Sequence, residues 1–192
     1  VLSLEVNLSQ FQKPSRYINR ELNSVRRNAP VSVALAFPDI YDVGMSHLGL
    51  RILYAVINDL PYAFAERVFS PWPDFEESLK KTGGILASLE SDRPLKDFDI
   101  VGFSLQYELC YTTVLNMLSL GGIPLRTEER LTRGSAPIII AGGPCTVNPF
   151  PMAPFIDAFL VGDGEEAVPE ILEACYRWKE HDARDRLGLL SS

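Results

Sequence analysis

The chain has 192 residues, 18 Lys+Arg against 25 Asp+Glu, and a formal net charge of -7. Hydrophobic residues make up 46% and charged residues 22%, the balance of a soluble globular domain, which argues against disorder, a collagen-like repeat and a disulfide scaffold. No apolar run reaches the roughly 20 residues a membrane helix needs, no signal peptide is visible, and the three scattered cysteines, Cys110, Cys145 and Cys175, read as a reducing, cytoplasmic setting.

Residues 1–30 carry Lys13, Arg16, Arg20, Arg26 and Arg27 against Glu5 and Glu21. They read as a basic N-terminal arm or helix that packs on the body. Residues 31–37 are a short apolar, β-branched run and predict a buried strand ending at Pro38-Asp39. His47 to Asp59 has helical spacing, with Leu48, Ile52, Ala55 and Val56 on one face and Pro61 as the stop. Residues 63–69 predict a second strand. Asp74 reads as the N-cap of a helix through about Lys81, ended by Gly83-Gly84. Residues 85–98 read as an irregular extended piece and a loop around Arg93-Pro94.

Residues 99–105 predict the clearest buried strand, followed by a helix from about Tyr107 to Leu120 and the Gly121-Gly122 stop. Residues 137–141 and 157–161 predict the last two strands. A final helix starts near Glu165, with Val168, Ile171, Leu172, Cys175 and Trp178 on its apolar face and Glu165 and Glu166 opposing the positive end of the dipole. Alternating strands and helices, with strands apolar throughout, predict an α/β, doubly wound parallel sheet covered on both faces. Ligands in such folds bind outside the carboxyl ends of the strands. Residues 39–49, 104–108, 142–145 and 162–165 supply small and polar groups there.

The chemistry at those ends is not that of a nucleotide enzyme. Gly162-Asp163-Gly164-Glu165 lacks the Gly-Lys-Ser/Thr ending of a P-loop and is no GxGxxG fingerprint, so ATP and NAD are poorly supported. Asp39, Asp42, Glu108, Asp163 and Glu165 could supply an acid–base pair. They also suit a phosphate-receiver domain, but the lysine a receiver needs after its fifth strand is missing. FMN lacks its Ser/Thr/Gly-rich loop after the first strand. His47 is read either as a packing or capping residue or as a ligand. Cys110 and Cys175 read as buried and inert. Cys145 follows Gly142-Gly143-Pro144 with no histidine beside it, which argues against a nucleophile. The acidic balance argues against direct DNA binding; an RNA substrate stays open.

Residues 42–54 (DVGMSHLGLRILY), 101–105 (VGFSL), 140–144 (IAGGP) and 161–166 (VGDGEE) occur in that order. Together they resemble the N-terminal cobalamin (B12)-binding-type domain of radical S-adenosylmethionine (radical SAM) proteins. Residues 13–17 and 71–74 further resemble one uncharacterised subfamily of these. The resemblance covers nearly the whole chain. It implies a flavodoxin-like, Rossmann-like five-stranded parallel sheet of order 2-1-3-4-5 in three α/β/α layers. It implies a corrin ring held by Met45, Ser46, His47, Gly49, Ser104, Leu105, Gln106, Gly142, Gly143, Pro144, Gly162, Asp163 and Gly164. The wider family's Asp-x-His-x-x-Gly is not met, since Asp42 stands five residues before His47, so the implied cobalt has no protein histidine beneath it. The expected organisation is an arm over 1–30, the binding domain over 31–180, and a linker over 181–192 to a radical SAM catalytic domain. The 4Fe-4S cluster and S-adenosylmethionine would belong to that partner domain beyond Ser192, because no Cys-x-x-x-Cys-x-x-Cys run occurs in the sequence. The same fold without cobalamin, acting as an interaction or substrate-docking module, is the alternative expectation.

Overall fold

Seven residues, Val31–Phe37, all apolar but Ser32, form strand β1 with every side chain buried. Even and odd positions enter different cores, so the strand needs apolar groups throughout. A computed structural model describes residues 8–18, 21–133 and 136–180. Four further strands, β2 (Ala63–Phe69), β3 (Ile100–Ser104), β4 (Ile138–Gly142) and β5 (Ala158–Phe159), complete one parallel sheet of order β2-β1-β3-β4-β5. The helices are α1 (Tyr41–Gly44), α2 (Leu48–Asp59), α3 (Pro73–Thr82), α4 (Tyr111–Leu120), α5 (Thr127–Arg133) and α6 (Gly164–Glu180).

Two cores sandwich the sheet. On one face Ala34, Ala36, Val101, Phe103 and Ile139 meet Leu79 of α3 and Val114, Met117 and Leu118 of α4. On the other, Val33, Leu35, Phe37 and Ile100 meet Leu50, Tyr54 and Ile57 of α2 and Leu172 and Cys175 of α6. Each fully buried aliphatic side chain of this kind contributes about 1.5–3 kcal/mol. The result is the three-layer α/β/α flavodoxin-like arrangement, and α2 and α6 lie side by side on one face. No helix among the described residues is long and apolar enough to cross a membrane.

Several local expectations are corrected. The face expected to be the apolar one of α2, Leu48, Ile52, Ala55 and Val56, is not the one that packs on the sheet: Leu48 and Ala55 are exposed, and Leu50, Tyr54 and Ile57 are buried instead. Trp72, not Asp74, is the N-cap residue of α3. Asp74 Oδ2 instead accepts from the Gln12 N–H at 2.8 Å, which ties the N-terminal arm to the helix start. The helix expected from Tyr107 begins as a 3-10 turn, Glu108–Cys110, and becomes α-helical only at Tyr111. Strand β5 is regular only at Ala158–Phe159, because the Asp157 carboxylate turns back to accept from the Ile139 N–H at 2.7 Å. The short helices α1 and α5 are additional to the expected elements. Between β4 and β5 the connection is a 3-10 turn, Pro144–Val147, and a compact turn that buries Met152 and Ile156.

Strand β2 sits at the sheet edge and is nonetheless buried along its whole length. Residues 86–91 cover that edge. Leu89 N–H donates to Arg67 O at 2.8 Å, and Glu90 Oε2 accepts from Arg67 N–H at 2.7 Å. An exposed edge would offer a template for pairing with another chain, and this covering removes it. The basic arm packs on the body through Phe11, Tyr17 and Phe75, whose rings lie 4.5–5.5 Å apart. The expected linker over 181–192 lies outside the described residues.

Candidate functional site

The loops after β1, β3, β4 and β5 meet at one end of the sheet, and hydrogen bonds lace them together. Tyr107 O–H donates to Asp39 Oδ2 at 2.8 Å, joining the β1 and β3 ends. That bond, more than burial, pushes the Tyr107 phenol up from its ordinary value. Leu105 N–H donates to Gly142 O at 2.7 Å, and Cys145 N–H returns to Leu105 O at 3.2 Å, joining β3 to β4. Thr146 Oγ1 donates to Leu160 O at 3.0 Å and so ties in the β5 end. The scaffold around the strand ends is therefore fixed by contacts that cross between loops.

A cavity of about 200 Å³ opens among these loops and runs between α2 and α6. Its floor is the sheet at Val33, Leu35, Ile100 and Ile140, and Leu53 and Val168 stand on its helical walls. Of the residues expected to line a site, His47, Gly49, Ser104, Gln106, Gly142, Gly143, Gly162, Asp163 and Gly164 all surround it. Ser104 Oγ, the Gln106 amide and the Asp163 carboxylate make no hydrogen bond or ion pair among the described residues, and neither does the Glu165 carboxylate on the same mouth.

The glycines differ in what they do. A Cβ on Gly142 or Gly162 would meet nothing within 4 Å. At these two positions the backbone is open to the mouth. Gly162 also has φ +118°, which a residue with a side chain would adopt only with strain. Gly143 has φ +102°, and its Cβ would lie 2.8 Å from Leu105 O, so the close approach of β3 and β4 requires it.

Four expected residues are placed elsewhere. Leu105 is fully buried in the core on the opposite face of the sheet. Ser46 Oγ donates to Val43 O at 2.8 Å, within its own loop. Pro144 is exposed at the start of the 3-10 turn. Met45 points away, and its sulfur lies 3.4 Å from Arg67 Nη1. Glu165, read from the sequence as a strand-end carboxylate, also lines the cavity, and Gly102 lines it without having been expected there. Gly102 had a readable signal: an isolated glycine inside a strand often marks a close approach by another group.

His47 is the N-cap residue of α2. Its Nδ1 accepts from the Leu50 N–H at 3.1 Å, and its ring packs on Phe37 with centroids 4.9 Å apart. A neutral imidazole that accepts at Nδ1 carries its proton on Nε2. In this state neither nitrogen has a lone pair free for a metal. Cys110, Cys145 and Cys175 are all buried. Burial pushes the Cys110 thiol up, which disfavours the reactive thiolate. No cluster of three or more metal-ligating side chains stands together among the described residues.

The loops at the strand ends carry an apolar rim. Val43, Leu48, Tyr107, Leu109, Val147, Phe150 and Val161 are all exposed, Leu109 and Phe150 by 85% and 84%. They follow the ends of β1, β3, β4 and β5. None of the seven lines the cavity itself, but exposed apolar side chains gathered on the loops at one end of a sheet suit a surface that is covered in use.

The sequence profile of the family described as radical SAM proteins, N-terminal, matches residues 49–192, three quarters of the chain. An uncharacterized protein of Methanocaldococcus jannaschii is 36% identical over 135 residues, covering 70% of this chain and 24% of that protein. The chain thus spans about a quarter of the length of the curated relative it matches. No solved structure matches the chain.

Proposed function

The chain belongs to the family of N-terminal domains of radical SAM proteins, and from that premise we propose that its strand-end face holds a cobalamin against a following catalytic domain, for methyl transfer or a related radical reaction. The observation that carries this reading is the glycine-lined cavity at the strand ends, with exposed apolar side chains on the same set of loops. A flat heterocycle entering between α2 and α6 meets bare backbone at Gly142 and Gly162. It also finds the unpartnered Ser104 hydroxyl and Gln106 amide at the mouth.

At about 200 Å³ the cavity suits the planar base of a cobalamin tail rather than the whole ligand; complete ligand pockets run to roughly 300–1,000 Å³. The corrin itself would lie outside, on the rim. The residues do not fit a histidine-ligated cobalt, because His47 is committed to capping α2. When bound, cobalamin supplies a redox-active cobalt suited to methyl transfer. The chain's own part is to seat the tail, to accept amide or hydroxyl donors at Asp163 and Glu165, and to exclude water along the apolar rim. The iron–sulfur cluster and S-adenosylmethionine that radical chemistry needs belong, in this reading, to the rest of the longer protein.

A second reading rests on the rim alone. Side chains as exposed as Leu109 and Phe150 would dock a catalytic domain with or without a cofactor. Titration of the protein with cobalamin, followed by visible spectroscopy and gel filtration, separates the two. Cobalamin binding predicts co-migration and a spectral change, weakened at least about tenfold (~1.4 kcal/mol) in Gly142→Trp. No change at about 50 µM cobalamin, roughly 6 kcal/mol of binding free energy, overturns the cofactor reading and leaves the docking module.

A further inference from the structure

A second and larger cavity, of about 270 Å³, lies at the carboxyl end of β2 and shares no lining residue with the first. The N-terminal arm, α3 and residues 86–89 wall it. Arg67 lines this cavity and is only 5% exposed. Its guanidinium is fixed on three sides. Nε donates to Glu90 Oε1 at 2.6 Å, Nη1 reaches the Met45 sulfur at 3.4 Å, and Cζ lies 4.4 Å over the Tyr54 ring. Nη2 is buried and has no hydrogen-bond partner among the described residues. A buried donor left unsatisfied costs about 1–3 kcal/mol, more when charged, so an acceptor is called for there.

We propose that this cavity binds a small organic carboxylate carried on a flat apolar body. Arg16 supplies a second guanidinium on the wall. Its Nε pairs with Asp42 Oδ2 at 2.5 Å, and its Cζ stands 4.6 Å over the Trp72 ring, which holds it in place. Ser70 also lines the space, with no hydrogen bond to its hydroxyl among the described residues. Tyr17, Phe69 and Phe75 give the apolar walls for a flat body. A guanidinium with a free nitrogen suits a planar carboxylate oxygen. Asp42 and Glu90 already pair with the Arg16 and Arg67 guanidiniums, which leaves the cavity less positive than two free arginines would make it and disfavours a phosphate dianion. The inference is independent of what the first cavity holds.

Isothermal titration of benzoate, phenyl phosphate and benzyl alcohol into the protein tests it. Benzoate is expected to bind with Kd near or below about 1 mM, and the other two at least tenfold (~1.4 kcal/mol) more weakly. Arg67→Met should abolish benzoate binding. Because Arg67 is buried and paired, Ser70→Phe, which fills the cavity from a half-buried position, and Arg16→Gln serve as second variants. Both should weaken benzoate at least tenfold (~1.4 kcal/mol) with circular dichroism melts like the wild type. Silence with benzoate up to about 10 mM would mean that a water alone completes Arg67 and would overturn the proposal. So would benzoate affinity unchanged by Ser70→Phe, or benzyl alcohol binding as tightly as benzoate.

Discussion

Gly142 and Gly143 are neighbours with opposite tolerances. A side chain at Gly142 has open space, whereas one at Gly143 collides with Leu105 O in a backbone conformation that suits only glycine. Gly143→Ala should therefore lose about 1–3 kcal/mol of stability, read as an earlier urea midpoint, while Gly142→Ala should stay within about 0.5 kcal/mol. Equal losses would mean that the mouth is packed rather than open at Gly142. His47 invites a parallel test. His47→Ala removes the cap of α2 and should cost about 1 kcal/mol, and His47→Asn should restore most of it, since asparagine is a good N-cap. If cobalamin binds, His47→Asn should leave its visible spectrum as in the wild type; a shifted spectrum would put the imidazole on the cobalt. The glycines after the strands, and their place on the cavity at the strand ends, were legible in the sequence. The direction of a side chain was not: Leu105 and Met45 stand among those residues in sequence yet face other parts of the molecule.

At the scale of elements, hydrophobic patterning found β1, β2 and the extent of α2, because their partners are apolar and the pattern is local, but α2 is apolar on both sides and the face it packs with, Leu50, Tyr54 and Ile57, is not the one the spacing picked. It failed where burial is polar. Helix α5 hides no apolar stripe: Leu131 is 42% exposed, and its buried member is Arg130. Arg130 donates to Pro124 O, Leu125 O and Phe155 O and pairs with Asp157 at 2.7 Å. Its acceptors reach up to 27 residues away, beyond any window of spacing. The edge strand β2 hides Glu66 and Arg67 for the same reason, with partners in residues 88–91. Helix α6 shows what one polar tie does at an element's end. Lys179 Nζ donates to Asp99 Oδ1 and to Pro30 O, each at 2.7 Å, pinning the helix to the starts of β1 and β3. Burial pushes the Asp99 carboxyl up, but hydrogen bonds from Lys179 and Ser32 outweigh it and hold the group below the usual carboxylate value. A depressed folded value gives stability that is present above the unfolded value, about 3.9, and is lost as pH falls through the folded one. Urea midpoints of wild type and Asp99→Asn, measured from about pH 6 down to about pH 3, should therefore converge below about pH 4. Parallel curves across that range would assign the tie no linked proton.

At the scale of the molecule, the exposed apolar loops and the end of α6 lie at opposite ends of the strands. Helix α6 starts at the mouth with Gly164 and ends where Lys179 meets the starts of β1 and β3. Its 17 residues carry the chain about 25 Å from the rim. In the proposed reading, another part of the longer protein covers the exposed apolar side chains at the strand ends. The consequence is measurable by hydrogen exchange. In the longer protein, amides of residues 107–111 and 147–151 should exchange more slowly than in the 192-residue chain. The double variant Leu109→Glu/Phe150→Glu replaces two of the most exposed apolar side chains with charges. Burying an unpaired charge costs far more than it gains, so the variant should erase that slowing while leaving the melt of the 192-residue chain within a few degrees of the wild type. Equal exchange with and without the rest of the protein would show that the rim faces solvent, and cobalamin alone would then remain as the group that covers it.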